Sequence, residues 1–265
     1  MQTLTPAAGP VAPVVRLYLC GRVTIECGSL VLRDSALGSA QSRLLLGFLG
    51  TRRTRPASRL ETIGALWGDH PPPSVDASLN VVISKLRTAT RRVGLVPPAG
   101  VVTESGSLHL SLPHGWIDVE EARKSLDAAE GALRREDLPA AWAAANVAAV
   151  LARQPFLAME EAAWVVRERA GLERIWRRAS IVLSVVSTAT GEHQLGIQHA
   201  TEALDAEPFD EVACQALMRA HAAAGNRAEA LRVFARCRRL FREELGAEPS
   251  ERTTDVFTTI LRSRT

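Results

Sequence analysis

The sequence predicts a mainly α-helical protein whose β-strands are confined to the first half of the chain. From Val14 to Leu32, and again around Ser105 and Gly106, apolar and polar residues alternate with the period of strands. After Asp118, apolar residues recur at helical spacing through several segments separated by Gly or Pro. Aromatic residues make up only 5% of the chain, which favours helices that pack closely through Ala, Leu and Val.

The first half predicts a small sheet, three helices and a hairpin, in that order. A helical stripe follows the first strands, and a second helix begins at Ser58, where Glu61 completes the spacing of a capping box. Three prolines precede a third helix, predicted over residues 74–93, and the turn at Ser105-Gly106 then closes a hairpin. Three helices followed by a hairpin wing form a winged helix, a variant of the helix-turn-helix.

The second half predicts a repeat of helix pairs. Gly191 and Gly225 lie 34 residues apart, which is the period of tetratricopeptide (TPR) helix pairs, and Gly196 and Ala230 share one offset within it. Stacked helix pairs usually offer a surface to another protein. We therefore predict a disordered lead over residues 1–13, a winged helix over 14–113 and an all-α, TPR-like domain over 114–265.

The charge of the chain is unevenly distributed. Residues 14–112 hold 12 Lys or Arg against 6 Asp or Glu, whereas residues 113–265 hold 20 against 23. This asymmetry indicates that only the first half meets a polyanion, although chance drift of surface charge is the alternative.

Several classes of protein find no support in the sequence. The six histidines are scattered, no phosphate-binding G-x-x-x-x-G-K-[ST] loop occurs, and the four cysteines form no C-x-x-C pair. We therefore expect no enzyme activity, no metal, no cofactor, and reduced, buried thiols. The first residues lack the pattern of a signal peptide, and no run of about 18 apolar residues would span a membrane. A cytoplasmic protein is the expectation.

The predicted helix 74–93 carries the functional interpretation. Leu79, Ile83, Leu86 and Thr90 share one face, which we assign to the core. The other faces offer short polar groups, one small apolar group and several cations, with no acid after Asp76. A DNA major groove suits this mixture, because cations bind phosphates, Lys or Arg reads guanine, Asn reads adenine and a methyl group meets thymine. An ordinary amphipathic helix with a solvated basic face is the alternative.

The first half resembles the winged-helix domain of OmpR-type regulators, and more closely that of the Streptomyces antibiotic regulatory proteins (SARPs). The resemblance is carried by Trp67-Gly68-Asp69 with Pro71-Pro72, and then by the stretch from Ser78 to Arg87. The second half resembles the bacterial transcriptional activator domain (BTAD) that follows in SARPs, most clearly in QALMRAHAAAGNRAEALRVFARCRRLFREELGAEPS. The resemblance covers residues 15 to 262.

The resemblance implies a transcription activator. Such proteins bind direct repeats in double-stranded DNA near promoters, often with a second protomer alongside, and recruit RNA polymerase through its sigma factor. For this chain it implies control of a secondary-metabolite gene cluster. The loop that faces the polymerase in the relatives corresponds here to Gly68, Asp69, His70, Pro71, Pro72 and Pro73. Its prolines would hold the loop stiff, although a rigid connector is the alternative.

The resemblance also implies DNA-contacting positions. Ser78, Val82, Ser84, Lys85 and Arg87 match such positions of the recognition helix, and Lys85 is the residue we expect to read a base. To these we add Asn80, Arg91 and Arg92 from the same helix. Arg52, Arg53 and Arg55 are candidate phosphate contacts between the first two helices, with a solvated basic loop as the alternative. The wing departs from the family pattern, because Glu104 would repel phosphate.

Two rival functions stay open at this point. One is a protein-interaction scaffold whose winged helix does not bind DNA, which Glu104 and Val82 favour. The other is a repressor of the same architecture.

Overall fold

The computed structural model describes residues 14–112 and 114–263. The predicted disordered lead, residues 1–13, lies outside the described residues. The chain divides into two compact units. The first contains the described residues up to Glu120 together with Gln154–Arg169, and the second contains Glu121–Arg153 and everything from Ala170 onward.

The first unit begins with a four-stranded sheet. Its strands are ordered β3-β2-β1-β7; β1 and β7 are parallel, and the other neighbours are antiparallel. Alternation places Leu17 opposite Ile25 on the buried side, each about 1% exposed. The strands are β1 (Val15–Tyr18), β2 (Thr24–Cys27), β3 (Leu30–Arg33) and β7 (Trp116–Ile117).

Three helices and a hairpin follow, as the sequence predicted, and a short strand, β4, extends the hairpin to a three-stranded sheet. Ser39 caps the first helix by accepting from the backbone N–H of Ser42, and Ser58 and Glu61 form the predicted capping box of the second. The elements are α1 (Ala40–Thr51), β4 (Ala57–Ser58), α2 (Arg59–Trp67), α3 (Val75–Arg91), β5 (Gly100–Glu104) and β6 (Ser107–Ser111). The sheet order is β4-β6-β5.

The hairpin of β5 and β6 is the wing. Its turn residues Ser105 and Gly106 have φ values of 49° and 79°, so both are left-handed, as a two-residue type I′ turn requires. The tight turn at Ser105-Gly106 predicted from the sequence is confirmed.

Residues 154–169 also belong to the first unit. Phe156 and Leu157 are fully buried, and the indole of Trp164 donates to the carbonyl oxygen of Ala65 at 2.9 Å. The largely buried carboxylate of Glu160 pairs with Arg43 at 2.8 Å. The sequence predicts this segment within the second domain, residues 114–265, because no local pattern signals that it packs in the first unit.

The second unit is helical. The 34-residue period corresponds to two turns with left-handed glycines, Gly191 before α7 and Gly225 before α9, and both Gly196 and Ala230 are buried. Its helices are α4 (Asp118–Arg134) from Glu121 on, α5 (Leu138–Ala152), α6 (Ala163–Ala189) from Ala170 on, α7 (His193–Ala206), α8 (Glu211–Ala223), α9 (Arg227–Leu240) and α10 (Glu251–Arg262). A π-helical turn, Phe241–Leu245, extends α9.

Candidate DNA interface

The candidate interface is the exposed stripe of α3. The predicted core positions are buried, with Leu79 and Leu86 at 0% exposure, and they pack α3 against α1 and β5. The opposite side presents a continuous stripe at three- and four-residue spacing. Its exposed members are Asp76, Ala77, Asn80, Val81, Ser84, Lys85, Thr88 and Arg91, with Arg92 just beyond the helix.

Three cations of this stripe have no partner in the part of the chain that the structure describes. Among the described residues, the side chains of Lys85, Arg91 and Arg92 make no hydrogen bond or ion pair, and all three are exposed. A cation held only by water exchanges solvent for phosphate at little cost, and released counterions then favour binding. These three side chains are therefore the ones best placed to meet a polyanion.

Val82 corrects the predicted faces of the helix. The sequence predicts that Val82 faces the DNA, but the residue is only 7% exposed. The buried arc is wider than predicted, because both α1 and β5 pack on this helix. The outward apolar residue is its neighbour Val81, which is 51% exposed, whereas Ser78 is half-buried.

Arg87 is tied to the wing. Its Nε donates to the carbonyl oxygen of Val101 at 2.8 Å, and its Nη2 donates to the hydroxyl of Thr103 at 2.8 Å. Two of its five N–H donors are therefore engaged within the unit. A DNA contact by Arg87 stays a prediction, and it would use the remaining N–H groups of the guanidinium.

The cluster Arg52, Arg53 and Arg55 is also engaged inside the unit. Arg52 stacks over the ring of Phe48 and pairs with Glu61 at 2.7 Å, while Arg55 reaches the same carboxylate at 3.3 Å. The capping-box contacts with Ser58 and the pairing with Arg52 lower the pKa of Glu61 to about 2.

Arg53 is bound even more completely. It pairs with Glu120 at 2.7 Å and donates to the carbonyl oxygens of Leu112 and Gly115. Of these three arginines only Arg55, which is 75% exposed, retains a largely solvated side chain. The expectation that all three supply phosphate contacts does not fit these pairings.

The proline loop and the wing tip are solvent-exposed. Gly68 takes a left-handed φ of 56°, and Asp69, His70, Pro71 and Pro73 are exposed, with Pro72 half-buried. Glu104 lies at the exposed end of the wing, opposite Ser107. An acid at that point disfavours a phosphate contact there.

The structure also bears on metals, membranes and thiols. Within the described residues, no group of three or more His, Cys, Asp and Glu side chains could hold a metal ion. In the same part of the chain, none of the helices is sufficiently long and apolar to cross a membrane. No disulfide joins the four cysteines; three are buried, and Cys27 is half-buried.

Comparison with known proteins identifies the family. Residues 117–261 match the family described as bacterial transcriptional activator domain. The chain belongs to this family. The BTAD match begins just before α4 and ends at residue 261, within α10, so it covers nearly all of the second unit together with Gln154–Arg169 of the first.

Two curated relatives of this BTAD protein are regulatory proteins named AfsR. That of Streptomyces griseus is 30% identical over 269 residues, which cover 98% of this chain and 26% of the relative. That of Streptomyces coelicolor is 32% identical over 216 residues, covering 81% and 21%. The chain thus spans about a quarter or less of the length of these relatives. The resemblance to SARPs predicted from the sequence is confirmed.

A solved structure confirms the fold. The BTAD protein superimposes on Mycobacterium tuberculosis EmbR, solved in complex with a low-affinity phosphopeptide, with a TM-score of 0.84. The match covers 96% of this chain and 66% of that one at 20% identity. The mainly α fold class, with a small N-terminal sheet followed by a helical domain, is therefore confirmed.

Val81 and Arg59 are among the residues of the candidate interface that the sequence does not predict. Val81 is not predicted because the periodicity assigns Val82, the neighbouring position, to the exposed side of the helix. Arg59, which contacts two side chains of α3, was overlooked because it precedes them by 17 and 21 residues. No local periodicity signals such a contact between helices.

Proposed function

We propose that the protein is a sequence-specific DNA-binding transcription regulator that inserts α3 into a major groove and acts as an activator. The observation that carries the proposal is the exposed stripe of α3, with three unpartnered cations among short polar side chains. Base edges in the major groove are read by such cations and amides, while phosphates are bound by cations and hydroxyls. In this proposal the first compact unit, including Gln154–Arg169, is the DNA-binding part.

Each member of the stripe has a proposed role. Lys85, midway along the helix, reads a base, and Ser84 and Asn80 contact base edges or phosphates beside it. Val81 replaces Val82 as the candidate for a thymine methyl contact. Arg91 and Arg92, at the end of the helix, bind phosphates. Two protomers that neutralise about six phosphates would lose roughly 10³-fold in affinity between 50 and 200 mM salt.

We propose further that the proline loop and the second unit contact proteins. The exposed loop from Gly68 to Pro73 would present Asp69 and His70 to the RNA polymerase sigma factor at low entropic cost. The helical second unit would contact other polymerase subunits or a second protomer bound to an adjacent direct repeat near a promoter. The names of the relatives as regulatory proteins support this class of function. A secondary-metabolite gene cluster is the proposed target, and the cytoplasmic nucleoid the place of action.

The first test is affinity selection of sheared genomic DNA by the purified protein, with Lys85→Ala beside it. Lys124→Ala is the matched control, because these are the only two lysines of the chain and Lys124 lies exposed on α4. We expect fragments that share a short direct repeat. Lys85→Ala should cost about 1–3 kcal/mol of binding free energy and blur one base position, while Lys124→Ala leaves both unchanged. No enrichment at low salt would reject DNA binding and favour the scaffold.

The second test is transcription in vitro from the enriched fragments with purified polymerase. We expect more transcript with the protein than without it. Asp69→Ala and His70→Ala should lower the transcript while leaving DNA affinity unchanged. Less transcript with the wild-type protein would identify a repressor, and full activation by both loop variants would reject the role of the loop.

A further inference from the structure

Arg59 joins the start of α2 to the exposed side of α3. Its Nε and Nη2 donate to Oδ1 of Asp76 at 3.2 and 2.9 Å. Its Nη1 and Nη2 donate to Oδ1 of Asn80 at 3.3 and 3.2 Å. Asp76 and Asn80 lie one helical turn apart, so a single guanidinium spans both.

This contact fixes which way the amide of Asn80 faces. A guanidinium has only donors, so the atom of Asn80 that meets it must be the carbonyl oxygen. The two N–H groups of the amide therefore face away from Arg59. Asp76 holds the guanidinium through charge-assisted hydrogen bonds, which keeps it from turning elsewhere.

The orientation matters because Asn80 can then no longer recognise adenine in the way that asparagine usually does. An unconstrained Asn reads adenine by accepting from N6–H and donating to N7 at the same time. Here two donors of Arg59 already occupy the carbonyl oxygen of Asn80. What is left toward the groove is a pair of donors, and guanine presents two acceptors, O6 and N7, on its major-groove edge.

We propose that Arg59 is a positioning residue that makes Asn80 a hydrogen-bond donor only, so that Asn80 selects guanine and not adenine. The inference rests on the proposed function, since it assigns a base preference to a residue of the same stripe. It replaces the sequence-based expectation that Asn reads adenine. Arg59 acts through Asn80 and does not itself touch the base.

The test is selection from randomised duplex DNA by the wild-type protein and four variants: Asn80→Ala, Arg59→Met, Asp76→Ala, and Asn80→Ala with Arg59→Met. The position that loses its preference in Asn80→Ala is the one that Asn80 reads. We expect guanine there in the wild type, favoured over adenine about 10-fold. Arg59→Met frees the carbonyl oxygen and should shift this one position toward adenine, and Asp76→Ala should weaken the guanine preference. In the Asn80→Ala background, Arg59→Met should change nothing at this position.

The outcomes separate this inference from the proposed function. If the wild-type protein enriches no sequence, both are rejected. If it enriches a sequence and Arg59→Met has the wild-type profile, or if adenine or thymine is preferred at the Asn80 position, only the inference is rejected. A salt slope reduced by about one in Arg59→Met, with the base preference unchanged, would make Arg59 a phosphate ligand and reject the inference too. Arg59 is partly exposed, and equal thermal unfolding of the variants confirms that each is folded.

Discussion

Arg87 on α3 and Val101 on β5 are joined by a 2.8 Å hydrogen bond from the guanidinium Nε to the backbone carbonyl oxygen. The Nη2 of the same side chain donates to the hydroxyl of Thr103, two residues further along the strand. One residue of α3 therefore fixes the first strand of the wing. A side chain that matches a DNA-contacting position of the family also holds α3 and β5 together.

Replacing Arg87 by lysine should separate the effect of its hydrogen bonds to the wing from the effect of its positive charge. Lysine retains the charge but cannot supply two donors in the fixed geometry of a guanidinium. Arg87→Lys should lower the free energy of unfolding by about 1–3 kcal/mol, because the Val101 carbonyl and the Thr103 hydroxyl lose a partner. The salt dependence of DNA binding should not change. Urea unfolding and binding titrations measure the two quantities.

Arg91→Lys is the control for Arg87→Lys. Arg91 is exposed, and its side chain has no partner among the described residues, so the same substitution should leave the free energy of unfolding unchanged. An Arg87→Lys variant with wild-type stability and weaker phosphate binding would show that Arg87 leaves the wing when DNA is bound.

Alanine substitutions of Val82, which is buried, and Val81, which is exposed, should separate an effect on stability from an effect on DNA binding. Val82→Ala removes two buried methyl groups and should lower the free energy of unfolding by roughly 1–3 kcal/mol. Val81→Ala should leave stability nearly unchanged and weaken the preference for thymine at one base position. Thermal unfolding and selection from randomised DNA measure these effects. Equal loss of stability in both variants would contradict the assignment of the two faces.

The interface was only partly predictable from the sequence because helical periodicity fixes the centre of a buried face and not its width. Leu79, Ile83 and Leu86 were placed correctly, since any packing partner covers the centre of the apolar stripe. Val82 lies at the margin, and its burial depends on how closely the neighbouring elements approach. Margins of this kind are decided by tertiary contacts.

Contacts between residues that are far apart in the sequence also could not be predicted. The pairing of Arg53 with Glu120, 67 residues later, cannot be read from local sequence. Nor does any local pattern bring Trp164 to the carbonyl of Ala65. Local signals, by contrast, were read correctly: the capping box at Ser58 and Glu61 depends on residues three apart.

Asp118 should make stability depend on pH. Its carboxylate accepts from the backbone N–H groups of Leu19 and Cys20 at 2.7 Å each, yet burial raises its pKa from 3.8 to about 6. The folded state then binds a proton more tightly than the unfolded state between about pH 4 and pH 6. From this group alone, the free energy of unfolding falls as the pH rises through that window, by about 3 kcal/mol in total.

The measurement is urea unfolding from pH 4.5 to 7 for the wild type, Asp118→Asn and Asp69→Asn. Asp118→Asn removes the titrating group, so its free energy of unfolding should fall less with pH than that of the wild type. Asp69 is exposed, and Asp69→Asn should keep the wild-type slope. An Asp118→Asn slope equal to that of the wild type would mean that the backbone donors keep the pKa of Asp118 near its ordinary value.

Gly196 lets α7 approach α6 closely. A Cβ at this position would lie 2.4 Å from the hydroxyl oxygen of Thr188 and 3.1 Å from the carbonyl oxygen of Ser184, and the Ser184 hydroxyl donates to the carbonyl of Gly196 at 2.7 Å. Gly196→Ala should therefore lower the free energy of unfolding by about 1–3 kcal/mol, since the helices must separate to admit the methyl group. Gly171→Ala is the matched control, because Gly171 also lies within a helix and a Cβ there would lie 3.8 Å from Nη2 of Arg174, an ordinary contact with the end of a flexible side chain. There the higher helix propensity of alanine should raise stability by up to about 1 kcal/mol. Thermal unfolding of the two variants gives opposite shifts if the close approach of α6 and α7 is right, and a gain of stability in both would contradict it.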